Sequence, residues 1–175
     1  MEFEQLLTIF FTRPKSEFFS CMEAESGFVV KNDQGESLFF TLISKLTYEE
    51  FKIFCQHSEI NLKTDYGDLL SAEVLCCFPN KLEAYNRIKD LVSSGLDTTL
   101  QDFNGNTLMH HSVRHKNMRA VKLLKRVGAS FLVENFGEKY PSDMSVGSDP
   151  VAQLVRQWEY DEANGYTARA PDTRF

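Results

Sequence analysis

The chain has 175 residues, 42% of them hydrophobic and 25% charged, with a net charge of −6, an ordinary composition for one globular domain. No run approaches the roughly 18 consecutive apolar residues of a membrane helix, and the acidic start Met1-Glu2-Phe3-Glu4 lacks the basic flank of a secretory signal. The cysteines Cys21, Cys55, Cys76 and Cys77 have neither a disulfide nor a zinc spacing, which points to reduced thiols in a cytosolic compartment.

In chain order, Glu2 to Phe11 reads as an N-terminal helix. Thr47-Tyr48-Glu49-Glu50 and Asn80-Lys81-Leu82-Glu83 each set a capping residue three positions before a glutamate, a helix-start pattern. Leu82, Tyr85, Ile88, Leu91 and Val92 follow at helical spacing, and Gly95 supplies a left-handed stop. Residues Asp102 to Gly128 then read as a turn at Asn104-Gly105, a short helix, a second helix and a glycine stop. In that second helix Met118, Val121, Leu124 and Val127 share one face. Ser148-Asp149-Pro150-Val151 caps a last helix with proline at its first position, and Val151, Leu154, Val155 and Trp158 form its apolar stripe. Asn164 to Phe175 has no periodicity and is expected to be a mobile tail.

Three pairs of landmarks share one spacing. Gly95 and Gly128, Asp102 and Asn135, and Thr107 and Tyr140 are each 33 residues apart, the period of ankyrin repeats. Asp102, Gly105, Thr107, Met109, His110 and Ser112 follow the ankyrin pattern D-x-x-G-x-T-P-L-H-x-A, with Leu108 in place of the proline. Leu123, Leu124, Gly128 and Ala129 follow its L-L-x-x-G-A ending. Asn135, Tyr140, Pro141, Asp143, Met144 and Ser145 continue into a further unit, with Glu138 where glycine is expected. Upstream, Ile60 to Gly67 and Gly35 to Leu42 carry weaker versions, and Gly27 takes the place of a closing glycine. Gly35 to Gly67 is 32 residues and Gly67 to Gly105 is 38, which predicts an insertion, placed near Leu75 to Asn80.

The chain therefore resembles an ankyrin-repeat protein over about Gly27 to Ala163, most closely over Gly95 to Ser145. The resemblance implies an all-α solenoid of stacked helix-turn-helix units with short finger loops, capped by terminal helices. Residues 1–26 would form a cap and a degenerate first unit, and residues 27–163 the repeat domain. Its units would lie near 32–62, 63–100, 101–133 and 134–163, followed by the tail 164–175.

Ankyrin repeats bind partners through finger tips and short inner helices, so the resemblance implies a non-catalytic adaptor, inhibitor or effector with a protein partner. The variable positions that carry this expectation are Asp65, Tyr66 and Asp68 in one unit. They are Phe103, Asn104, Asn106, Arg114 and His115 in the next, and Phe136, Gly137 and Lys139 in the last. Exposed aromatics at successive fingers are expected hot spots, unless each ring folds onto its neighbour. The setting implied is cytoplasmic, and Glu159 to Glu162 near the C-terminus is compatible with a bacterial effector delivered into host cytoplasm.

Charge offers an alternative. Residues 1–73 have net charge −7, residues 76–132 have +5, and the remainder −4. Arg119, Lys122 and Arg126 share one face of a helix opposite Met118, Val121 and Leu124, either a solvated face or a site for phosphoinositide, acidic lipid or phosphoprotein. Nucleic acid is disfavoured, because the flanks are acidic and no aromatic platform interleaves the basic residues. His111 and His115 have the spacing of two metal ligands on a helix, but no third ligand follows at a regular distance. His110 instead holds the ankyrin position that bonds between fingers. No phosphate-cradling Gly-Lys-Ser/Thr occurs, no cofactor is implied, and an enzyme of undetected type is the third reading.

Overall fold

The computed structural model describes residues 2–24 and 30–166. Among these the secondary structure is helical apart from the isolated bridges Lys31–Ser37 and Lys63–Leu69. The helices are α1 (Phe3–Thr12), α2 (Lys15–Ala24), α3 (Leu38–Leu42), α4 (Tyr48–His57), α5 (Leu70–Cys77), α6 (Lys81–Ser93), α7 (Leu108–Arg114), α8 (Met118–Arg126) and α9 (Pro150–Ala163). Short 3₁₀ turns occupy Ile43–Lys45 and Pro141–Met144.

Two rows of helices follow from the contacts. The short elements α5, α7 and the turn Pro141–Met144 touch in succession, with Ile43–Lys45 against α5. The longer α4, α6, α8 and α9 form the second row, each against the next. Within pairs, α5 packs on α6, α7 on α8, and Pro141–Met144 on α9. No pair has a core of its own. Val74, Ile88, Val113, Val121, Leu124 and Val155 are all fully buried in one continuous cluster that runs along both rows.

Helix ends obey the local chemistry. Thr47 and Glu50 cap each other reciprocally, at 2.8 and 3.3 Å. Asn80 accepts from the Leu82 and Glu83 amides, but Glu83 does not return the bond and instead pairs with Arg87 at 3.1 Å. Asp149 accepts from the Val151 and Ala152 amides ahead of Pro150. After α6 and α8 the chain closes with paired backbone bonds, Leu96 N–H to Leu91 O and Gly95 N–H to Val92 O, then Ala129 to Leu124 and Gly128 to Lys125. The same closure ends α7, with Lys116 in the left-handed place at φ 53°.

One expectation is extended and another is corrected. A second helix, α2, follows the expected N-terminal one, and the two pack as a hairpin. Phe10 meets Phe18 at 5.0 Å, Phe18 meets Phe54 at 6.3 Å, and Phe39 stacks on Phe54 at 5.0 Å, which places four of the 15 phenylalanines in one run of ring contacts. The extra residues before Gly105 lie mainly inside α6, which has 13 residues against 9 in α8, one additional turn rather than a longer connection. Gly27 and residues 167–175 of the tail lie outside the described residues.

Candidate functional site

Four tight turns, at residues 32–36, 64–68, 102–106 and 135–139, precede the short helical elements and share one backbone pattern. The first amide of each donates to the carbonyl four residues on, as in Asp102 to Asn106 and Asn135 to Lys139. The fourth amide donates back to the first carbonyl, as in Gly35 to Asn32, Gly67 to Thr64, Gly105 to Asp102 and Glu138 to Asn135. That fourth position is left-handed in all four, at φ 72°, 85°, 79° and 56°, and only the last lacks glycine. Side chains brace all four turns from within: Thr64 Oγ1 accepts from the Asp68 amide at 3.0 Å, and the other three use an Asn or Asp. Asn32, Asp102 and Asn135 each use Oδ1 to accept two amides of their own turn.

Neighbouring turns are joined. The Asp65 amide donates to Gln34 O at 3.2 Å and the Phe136 amide to Asn104 O at 2.9 Å. A Cβ on Gly67 would lie 2.9 Å from Phe103 Cβ, and one on Gly105 would lie 2.7 Å from Phe136, so these turns touch with no space for a side chain. Asn135 Nδ2 donates to Asn106 Oδ1 at 2.7 Å, and Gln101 Nε2 to Gly105 O and Glu134 O.

The braced row presents rings to solvent. Tyr66, Phe103 and Phe136 are 66%, 59% and 73% exposed, so the contacts of Phe103 with Gly67 and of Phe136 with Gly105 leave most of those two rings open. Tyr66 occupies the turn position of Asn104 rather than of Phe103, whose counterparts are Asp65 and Phe136. Asn104, Arg114 and Lys139 are exposed, Asp68 is half-buried, and His115 is half-buried against Cys76. Asn106 does not join them. It is 1% exposed, and its side chain is spent on Asp102 and Asn135.

The histidines divide by partner. The His111 Nε2 lies 2.9 Å from Asp102 Oδ2, and burial outweighs the nearby carboxylate in holding the imidazole below its ordinary range. His115 lies 3.8 Å from Cys76 Sγ rather than paired with His111 in a metal site, and the described residues contain no cluster of three potential ligands. The Cys76–His115 approach joins α5 to the end of α7, a proximity the sequence did not signal. Burial and then Glu73 push the Cys76 thiol up, while burial and Arg114 push His115 down. Both shifts run against a thiolate–imidazolium pair.

Arg119, Lys122 and Arg126 are exposed along α8 and form no ion pair among the described residues. Lys125, on the same helix, lies over the Trp158 ring at 3.8 Å. Among the described residues no helix is long and apolar enough to cross a membrane. Neither the family models nor the curated proteins compared with the chain match it.

Proposed function

We propose that this chain is a divergent ankyrin-repeat protein acting as a non-catalytic interaction module, an adaptor, inhibitor or effector in a cytoplasmic setting. Its protein partner docks on the turn row and the short helices behind it. One observation carries the reading: consecutive turns, joined by the backbone bonds Asp65 to Gln34 and Phe136 to Asn104 and by the close approach of Gly67 to Phe103, hold Tyr66, Phe103 and Phe136 more than half exposed. A rigid platform loses little conformational entropy on binding, and large rings supply much interface energy. The repeated turn pattern and the two rows of helices support the solenoid arrangement.

The test is capture of partners from lysate by the purified chain and by Phe103→Ala/Phe136→Ala, with both checked by circular dichroism. A partner held by the parent and lost by the folded variant supports the reading. A partner held equally by both, or a variant that unfolds, counts against it.

A second reading is favoured by the basic face of α8. Arg119 at its start lines a groove of about 440 Å³ with Lys81 and Lys116, of which Lys116 is paired with Asp149 at 3.1 Å. Lys122 and Arg126 extend the positive surface. Binding there of a phosphoinositide or phosphorylated ligand would fall steeply with salt and disappear on Arg119→Glu/Lys122→Glu.

A further inference from the structure

The turn row has a charge of its own, separate from that of α8. The four turns contain Asp33, Glu36, Asp65, Asp68, Asp102 and Glu138 against a single cation, Lys139. Asp102 is consumed internally by its own turn and by His111. Asp33, Asp65 and Glu138 are exposed, and their carboxylates form no hydrogen bond or ion pair among the described residues. The turns abut through Asp65 N–H to Gln34 O, Gly67 against Phe103, and Phe136 N–H to Asn104 O, so the carboxylates of Asp33, Asp65 and Glu138 and the rings of Tyr66, Phe103 and Phe136 belong to one continuous row, and the turns 64–68 and 135–139 each carry both kinds.

From this combination of open carboxylates and exposed rings we infer that the ridge accepts a basic, arginine-bearing extended segment of the partner. The inference rests on the docking reading above and specifies the chemistry of what docks. A guanidinium stacks on an aromatic face and at the same time pairs with a carboxylate beside it. Lysine would use the same carboxylates as a point charge, with weaker stacking. An acidic segment would meet repulsion from three free carboxylates. The geometry suits an extended chain because the rings belong to successive turns rather than to one pocket.

The experiment is fluorescence anisotropy with labelled twelve-residue peptides of alternating Arg-Gly, Lys-Gly and Glu-Gly, at physiological ionic strength. The expected order is Arg-Gly above Lys-Gly, with no binding of Glu-Gly. Asp65→Asn/Glu138→Gln should weaken Arg-Gly binding at least tenfold. Glu23→Gln/Glu59→Gln changes net charge equally at exposed positions outside the turns and should weaken it no more than twofold. Phe103→Leu/Phe136→Leu keeps apolar bulk and should still weaken Arg-Gly at least fivefold.

Equal losses in the two charge variants would mean general attraction to an acidic protein and overturn the inference. Preference for Glu-Gly, or no binding of Arg-Gly, would overturn it as well. A captured partner that depends on Phe103 and Phe136 would then leave the docking reading standing with a different occupant. If neither peptide nor partner depends on those rings, the docking reading fails too.

Discussion

His110 Nε2 lies 3.1 Å from the carbonyl oxygen of Lys139, so a side chain of α7 holds the turn that follows. Its Nδ1 lies 3.1 Å from the Thr107 amide, which can only donate, so Nδ1 accepts and Nε2 carries the hydrogen. Only neutral imidazole satisfies both ends. A proton on Nδ1 would set N–H against N–H.

Stability should therefore fall on acidification. Burial, the largest cause for both, holds His110 and His111 below the ordinary imidazole value of 6.5; Asp102 pulls both upward and Arg114 pushes both down. The unfolded chain then takes up protons first as pH falls through 6.5, so stability intact above about pH 7 is lost below it. Urea unfolding should show a lower midpoint at pH 5.5 than at 7.5, and His110→Leu should reduce the difference. A higher midpoint at 5.5 would contradict the assignment.

Glu138 sits at φ 56° where the three equivalent positions have glycine. Glu138→Gly should stabilise the chain by about 0.5–1 kcal/mol by relieving left-handed strain. Gly105→Ala should do the reverse by about 1–3 kcal/mol, because its Cβ would also meet Phe136 at 2.7 Å. Thermal unfolding of both variants checks the opposite signs.

Arg87 is 2% exposed on α6, donates to Leu46 O at 3.2 Å, and leaves Nε and Nη1 without partners. Its guanidinium centre lies 4.1 Å from the Phe78 ring and 4.9 Å from that of Phe51. Arg87→Ala removes the stem and the stacking and should destabilise by about 2–4 kcal/mol. Arg87→Met refills the volume without a buried charge and should lose no more than about 1 kcal/mol. Chemical denaturation separates them; equal losses would mean that the charge itself is needed.

Cys76 is the exposed thiol of the four, yet burial of its sulfur and Glu73 push its pKa up. Cys55 and Cys77 are pushed up to about 12. Alkylation at pH 7.5 should accordingly be slower than that of free cysteine, and His115→Ala should leave the Cys76 rate within about twofold. Faster labelling that depends on His115 would revive an enzymatic reading.

The sequence carried the parts of this fold that depend on local chemistry. Helix starts at Thr47, Asn80 and Asp149 and stops at Gly95 and Gly128 were legible because capping residues and left-handed glycines act within a few residues. Helix α2 was not: Lys15–Ala24 has weak amphipathic order, and Phe18 and Met22 earn its helix through contacts made elsewhere. The added turn of α6 was misplaced because the spacing between glycines counts residues without saying which element absorbs them. At the candidate site, the exposure of Phe103 and Phe136 followed from register, whereas Asn106 read as an open polar position. Its burial comes from Asn135 one unit away, a relationship no local pattern encodes. Cys76 and His115 are 39 residues apart, and their approach is equally invisible in a linear reading.

The backbone bond from Phe136 to Asn104 means that the last turn is held partly by the one before it. Under tension applied at the C-terminal end, α9 and its 3₁₀ turn would detach first and expose the edge of α7 and α8. The chain should then lengthen in successive steps rather than rupture once. Such a ridge also has a direction, since amide and carbonyl point opposite ways along it. A segment laid across it meets a different turn first from each end.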